Sequence, residues 1–492
     1  MSKSVTHFPE IIEPVLNQIS SDGKNTRNMP DPFDSAPLDD IDSSLLRKDL
    51  PEIPDISEVE CVRHFTRLSR LNFGVDHGMY PLGSCTMKYN PKICEKIAVR
   101  IQSIHPADSI CMQPILSSLH TLENCLKEIC GMDACTLWPA AGAHGELTGM
   151  MIIKQALKTR GLARDKILIP DTAHGTNPAS CAIAGFKTQN IPSGADGYLT
   201  AGSLKEHLDE NVAGLMITNP NTLGIFEREI DKIAGMLHEN GSFLYMDGAN
   251  LNAIMGIAKP GDMGVDCMHV NLHKTFGTPH GGGGPGSGPV LVKHELEKYL
   301  PLPRIRQEKN GNFILRWDMP ESIGTIHSTL GNSSVLIKAL IYILLLGPEG
   351  LRHASTTACI NANYLKARIS GILDLPFTTP TLHEFVLSDK LQKKQNISTV
   401  VMAKALMDFG FHPPTVYFPL VVPGAIMIEP TETESFEELE RFALALETIA
   451  EQVISDPDSM RHKPEGTPVK HVDEVWAARN LVLTWLMDES NT

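Results

Sequence analysis

Between residues 134 and 292, short apolar runs alternate with stretches of helical period, and this alternation limits the fold more than any other feature. The runs fall at 134–138, 166–169, 213–218, 242–246, 265–270 and 289–292. Helical patterns follow the first three of them. Such an order builds a mostly parallel sheet covered by helices on both faces. A long helix precedes it: Ile115, Leu116, Leu119, Leu122, Leu126 and Ile129 keep a 3.6-residue period, and Gly131 ends it. In sheets of this kind ligands bind beyond the carboxyl ends of the strands. Polar and glycine-rich segments gather at those ends: PAAGAHGE, PDTAHGTNPAS, NPNTLG, DGAN and NLHKTFGTPHGGGG.

The stretch 265–290, VDCMHVNLHKTFGTPHGGGGPGSGPV, carries the sharpest chemical signal. The apolar run stops at Asn271, and His273 and Lys274 sit where the chain leaves the strand. Glycines 281–284, Pro285, Gly286 and Gly288 follow. A lysine at a strand exit, beside backbone that can approach a ligand closely, suits a covalently held cofactor. Pyridoxal phosphate leads, because its aldehyde needs a lysine amine. A surface lysine on a flexible loop is the plain alternative for this stretch taken alone. The glycines are not a nucleotide loop: no G-x-x-x-x-G-K-[ST] occurs, and no G-x-G-x-x-G opens a helix near the chain start.

With pyridoxal phosphate as the hypothesis, the other strand ends offer what it needs. Its phosphate requires N–H groups at a helix start, and the loop holding Gly142, Ala143 and His144 lies between a strand and a helix. Its pyridine nitrogen requires a carboxylate, and Asp247 ends a strand. An opposite charge in contact raises the ring-nitrogen pKa by roughly 1–3 units, each worth about 1.4 kcal/mol. One ring face requires a flat partner: His174 is the candidate and His144 its rival. The phenolic oxygen requires a donor, for which Asn219 is placed. The plain alternatives are a tight turn for the 142–144 loop and a turn cap for Asp247.

The rest of the 492-residue chain sets bounds. Lys+Arg is 43 against 58 Asp+Glu, a net charge of -15, which argues against nucleic acid or an anionic membrane as the main partner. The ten cysteines are scattered without a C-x-x-C, so no metal site is expected, and reduced thiols in the cytoplasm are the simple reading. No secretory signal pattern opens the chain. The longest apolar run, 335–346, is interrupted by Lys338 and too short to span a bilayer. Residues 1–60 are polar and rich in Asp, Ser and Pro, and read as an arm. The loop 74–91, GVDHGMYPLGSCTMKYNP, packs Ser84, Cys85, Thr86 and Lys88 into a short polar set. After a helix over 333–346 that stops at Gly347-Pro348, a second α+β domain is expected, with strands at 383–388 and 425–429. In it, IEPTETESFEELERF opens a helix whose glutamates read as capping and solvated groups.

Together AAGAHGE, DTAHGTNPAS, YMDGANLNA and NLHKTFGTPHGGGGPGSGP closely resemble the glycine decarboxylase P-protein family of the glycine cleavage system, and PLGSCTMKYNP and IEPTETES also fit. The resemblance covers about residues 60–475. Single-chain P-proteins hold two related halves, and this chain resembles the lysine-bearing second half, subunit 2 of the split bacterial form. The resemblance implies an α/β fold of fold type I (aspartate-aminotransferase-like); with the composition and pattern above, the expected domains are an arm over 1–60, a large domain over 61–345 and a smaller α+β domain over 346–492. It implies pyridoxal phosphate on Lys274, with Asp247, His174 and the 142–144 loop around it, and Ser84 and Cys85 at the entrance. It implies decarboxylation of glycine and transfer of the aminomethyl group to the lipoyl arm of H-protein, with His174 or His273 moving the proton. The implied partner is subunit 1, two copies of each chain. One departure is His144, where many single-chain relatives carry Gln. Another fold-type-I enzyme, such as an aminotransferase, and a non-catalytic scaffold subunit are the two rival readings.

Overall fold

The structure is a computed structural model describing residues 13–21, 24, 41–46, 48, 53–101, 112–281, 286–328 and 330–481. Most of the 1–60 arm and the glycines 282–284 therefore lie outside the described residues. The chain divides into two compact units, residues 75–463 and the segments 1–74 and 464–492. In the latter, Ser57 caps the helix Glu58–Ser69 in a capping box with Glu60, and Glu13 meets His64 and Arg67 at 2.9 and 2.6 Å.

In residues 75–463 seven strands form the main sheet: β1 (Ala134–Thr136), β2 (Lys166–Pro170), β3 (Lys187–Ile191), β4 (Val212–Thr218), β5 (Phe243–Gly248), β6 (Cys267–Val270) and β7 (Val290–Val292). Their order is β1-β7-β6-β5-β4-β2-β3. Neighbours from β6 to β3 are parallel, and only β7 runs against both its neighbours. The expected α/β sheet is present, with β7 reversed and β3 added at the edge. β4 shows why its sequence is apolar throughout. Leu215 and Ile217 enter the core on one face and Met216 on the other, so all seven residues are buried. The helix Gln113–Cys130 closes on Gly131 at φ 67°, the left-handed cap the sequence called for.

A charged hairpin, β8 (Arg304–Gln307) with β9 (Phe313–Arg316), follows the sheet. The helix expected over 333–346 breaks at Gly347, whose φ 60° and ψ -178° are not helical, but resumes at once, so the pair spans Ser333–Arg368. By length and composition alone this is the one described helix that meets the membrane-span criterion. Its break and its burial of Val335, Leu336, Ala339 and Leu340 in the main core describe a core helix instead.

A three-stranded antiparallel sheet comes last, ordered β10 (Phe385–Ser388), β12 (Ala425–Ile428), β11 (Thr415–Val416). Phe385, Leu387 and Ile428 pack there against Met402, Leu406, Phe442 and Leu446. Leu82 forms an antiparallel bridge to Ile428, which draws the 82–86 strip onto this sheet. A side chain at Gly83 would collide with Met427, its Cβ only 2.7 Å from the carbonyl oxygen, so glycine is required there.

Candidate active site

β6 delivers the central lysine. Asn271 ends the strand, one helical turn Leu272–Thr275 follows, and Lys274 is buried on it. Its Nζ donates to the carbonyl of Ser84 at 2.8 Å. Hence the polar loop of the N-terminal region and the strand exit meet at one atom. Beside Ser84, the Cys85 thiol faces His280 Nδ1 at 3.7 Å, while His280 Nε2 lies 3.4 Å from the Thr86 carbonyl. Burial raises the Cys85 pKa above its ordinary value and lowers that of His280 to about 4.

Asp247 reaches the same region from β5. Parallel register places it beside His269 on β6, with His269 Nε2 at 3.3 Å from Asp247 Oδ1, and Ala249 N–H donates to the same oxygen at 2.9 Å. Burial by itself would raise this carboxyl, but His269, His174 and Lys274 hold it below its ordinary value. Asp247 is therefore an anion in a dry site. Behind it sits Glu146, which burial and then the Asp247 charge push up, and which accepts from Thr176 at 2.7 Å and Ser180 at 3.0 Å. The Asn177 amide, with its nitrogen turned to the acids, reaches Asp247 at 3.1 Å and Glu146 at 3.3 Å. His269, Glu146 and Asn177 were not anticipated. His269 lies within an apolar run, and only the strand register pairs it with Asp247.

The remaining expected residues surround this pair. Gly142 starts the helix Gly142–Thr159, and its Cβ position lies 2.4 Å from Asn271 Nδ2, so only glycine lets the loop approach the strand exit. The first N–H groups of a helix have no partner within it, so Gly142, Ala143 and His144 present donors suited to an anion. The His144 ring turns back on its own loop, accepting from Ala140 N–H at 3.1 Å. His174 Nδ1 is taken by Thr176 at 2.9 Å. Burial and the nearby Lys274 lower its pKa, partly opposed by Asp247, so a neutral ring lies near Lys274. His273 accepts from Ser287 N–H at 3.3 Å, and burial, with His280, lowers it to about 3. Asn219 directly follows Thr218, the β4 residue that register sets beside Asp247; its Oδ1 accepts from Glu227 N–H at 3.1 Å.

The glutamates of IEPTETES are not all solvated, contrary to expectation. Glu429 is buried and accepts from Thr86, and Glu432 pairs with the buried Lys88. Lys88 also donates to Asn252 at 2.7 Å and to the Thr275 carbonyl at 2.9 Å. The physical reason is the small sheet, which carries the end of β12 onto the loop that contacts Lys274.

The residues present fit pyridoxal phosphate. Asn219 Nδ2, Ser84 Oγ, Asn271 Oδ1, Thr275 Oγ1 and Thr278 Oγ1 are buried without partners. Each such atom costs about 1–3 kcal/mol unless something meets it. A planar ligand with a basic nitrogen at Asp247, a hydroxyl near Asn219 and an anion at the 142–144 loop suits this set of unmet donors and acceptors.

Fold and site define the class of fold-type-I transferases. Residues 144–302 match the aminotransferase class-V family, and residues 354–472 match the glycine dehydrogenase C-terminal domain family. The solved glycine decarboxylase (P-protein) of the glycine cleavage system, in inhibitor-bound form, superposes with a TM-score of 0.70 at 21% identity, covering 84% of this chain and 94% of that one. A glutamate decarboxylase of Lactobacillus brevis gives 0.64 at 14% identity over 83% and 95%. The probable glycine dehydrogenase (decarboxylating) subunit 2 of Caldanaerobacter subterraneus subsp. tengcongensis is 51% identical, over 96% of this chain and 98% of its own length. That of Pyrococcus horikoshii is 49% identical over 96% of each. The chain belongs to the glycine dehydrogenase (decarboxylating) subunit 2 family.

Proposed function

We propose that this chain is the cofactor-bearing subunit 2 of a split glycine dehydrogenase. The overall reaction takes glycine and the lipoyl disulfide of H-protein to CO2 and an aminomethylated dihydrolipoyl arm. The observation that carries this reading is the convergence of Lys274, Asp247 and the 142–144 loop at the strand ends of a chain in this family. Lys274 would hold pyridoxal phosphate covalently, Asp247 its ring nitrogen, the 142–144 N–H groups its phosphate and Asn219 its phenolic oxygen. The bound cofactor supplies an electron sink for the pair left when CO2 departs.

The protein's own contributions follow from the geometry. Asp247, held ionised by His269, keeps a proton on the atom it faces. His174 supplies a flat neutral ring, and with Nδ1 engaged by Thr176 its Nε2 is the atom left to move a proton. His273, whose Nδ1 accepts from Ser287, is the second imidazole near Lys274. Ser84 and Cys85 form the wall beside the Lys274 amine, at the entrance the lipoyl arm would use. The partner would be subunit 1, two copies of each chain. Every cysteine among the described residues is free, which supports a cytoplasmic setting. We assign the arm to residues 1–60, the cofactor domain to 61–345 and the smaller domain to 346–492.

The test is glycine-dependent exchange of CO2 with purified lipoylated H-protein, using this chain alone and then with subunit 1. Exchange only in the combined sample supports the whole reading. Full exchange by this chain alone removes the partner, and activity on other amino acids but not glycine removes the substrate.

A further inference from the structure

The 84–86 strip that meets Lys274 is clamped from its other side by acids with no assigned role. Antiparallel register sets Phe385 opposite Ile428, which brings Glu384 and Glu429 together just past the ends of β10 and β12. Both are buried, as is His383. One ligating atom from each of the three residues lies within 4.8 Å of the other two. His383 Nε2 stands 3.8 Å from Glu384 Oε1 and 3.8 Å from Glu429 Oε1, and neither ring nitrogen has a hydrogen-bond partner. Glu384 accepts from Ser84 N–H at 2.7 Å and from Asn250 at 3.0 Å, and Glu429 accepts from the Thr86 hydroxyl.

We propose that at mildly alkaline pH Glu384 and Glu429 share one proton, present a single negative charge, and as positioning residues both fix the 84–86 strip and act as the buried counter-charge of Lys274. Two carboxylates opposed across strand ends cannot both ionise in a dry site, whereas a pair sharing one proton can remain. Burial, followed by the other's charge, pushes Glu384 up, and burial pushes Glu429 up to about 7. His383 does not neutralise them: burial, then Lys274 and Lys88, lowers it to about 3. Lys88 is matched by Glu432, and Lys274 is a cation that acts on both Glu384 and Glu429, as it does on Asp247. The strip needs a clamp, because Ser84 has φ 59°, a left-handed conformation costly for a side-chain-bearing residue. Its N–H goes to Glu384 and its carbonyl to Lys274, so the acid pair sets where the lysine amine rests.

The inference rests on Lys274 carrying the cofactor, and the experiment separates the two. Glu384→Gln, Glu429→Gln and the double variant are loaded with pyridoxal phosphate, and their visible absorbance is titrated with pH. The groups facing the pair are His383, Lys274, Lys88, Glu432 and Cys85, and all are kept. A shared charge predicts non-additivity. Either single variant leaves one carboxylate free to ionise and keeps the midpoint within a few tenths of a pH unit (~0.3) of the parent. The double variant lowers it by about one pH unit, because a cation at Lys274 loses its counter-charge. Equal falls in the two single variants, or no fall in the double, would overturn the proposal. Infrared difference spectra of the cofactor-free protein need neither cofactor nor double variant. At about pH 8, above the Glu429 value of about 7, each single replacement should remove the one protonated-carboxyl band, and no loss in either overturns proton sharing. So does a stoichiometric metal in the purified protein, which would show the acids held by a cation instead. Failure of borohydride to trap cofactor on Lys274 sinks the functional reading while the infrared result still stands.

Discussion

Asp247 and the Glu384–Glu429 pair sit at strand ends of two different sheets, equally shut off from water, and are driven in opposite directions. Burial works against the charged form in both places. At Asp247 it is outweighed by His269 at 3.3 Å, with His174 and Lys274 beyond. At the pair each acid meets another acid, and the nearest imidazole is itself kept neutral. Neighbours, not depth, decide which carboxyl is an anion. One region thereby holds a fixed anion at Asp247 and, on the other side of Lys274, a pair of acids that keeps a proton.

The largest break in this comparison is removal of the cation both regions face. Lys274→Ala should abolish the visible absorbance of the loaded protein and reduce glycine–CO2 exchange below detection; retention of both would end the assignment. Next comes Asp247→Asn, which keeps shape and removes charge. Loss of about 1–3 pKa units at the ring nitrogen corresponds to roughly 1.4–4 kcal/mol in the barrier, or about 10- to 1000-fold in turnover. Cofactor binding should survive. Unchanged turnover would mean that another group protonates the ring.

The two regions should also respond oppositely to pH. Glu429 has a folded pKa of about 7, above its ordinary 4.5, so the folded state binds more protons across that window. Its stabilisation is full below 4.5 and lost as pH rises through 7. Asp247 is depressed below 3.8, so its stabilisation is full above that value and lost only as pH falls below it. Denaturant melts from pH 4.5 to 7 should therefore show the deficit of Glu429→Gln shrinking with pH, by about 2–3 kcal/mol at most. The deficit of Asp247→Asn should stay flat above pH 5. Parallel curves would contradict the contrast.

What could be read from the chain follows the same physics. Lys274, Asp247 and Gly142 stood out in the sequence because each ends an apolar strand or lies a few residues past one, at the edge where such sheets bind ligands. β3, sequence KTQNI, was not, because an exposed edge strand needs no apolar run. The β8–β9 hairpin hid in the same way among charged residues. Glu384 and Glu429 are ordinary glutamates by local pattern. Only the pairing of β10 with β12, and the bridge from Leu82, buries them against the site. The loop 74–91 showed its polar set without showing that Ser84 contacts Lys274, because that contact joins residues 190 positions apart.

The smallest expected effect tests whether His269 works only through Asp247. Its Nδ1 contacts the Tyr245 hydroxyl at 2.7 Å and its Nε2 faces the carboxylate, so the ring is pinned between the two. His269→Gln keeps a donor toward Asp247 but removes an imidazole that can carry charge. Asp247 should then drift up toward its ordinary value, at a cost of about 1 kcal/mol, roughly fivefold in turnover. The loss should deepen as pH falls, because a less depressed acid protonates sooner. The decisive measurement is the double-mutant cycle. In the Asp247→Asn background no carboxylate remains for His269 to hold, so His269→Gln should cost nothing further in turnover. An undiminished fivefold loss there would show that the histidine acts on the reaction by another route, and Asp247 would no longer owe its ionised state to the residue its strand register places beside it.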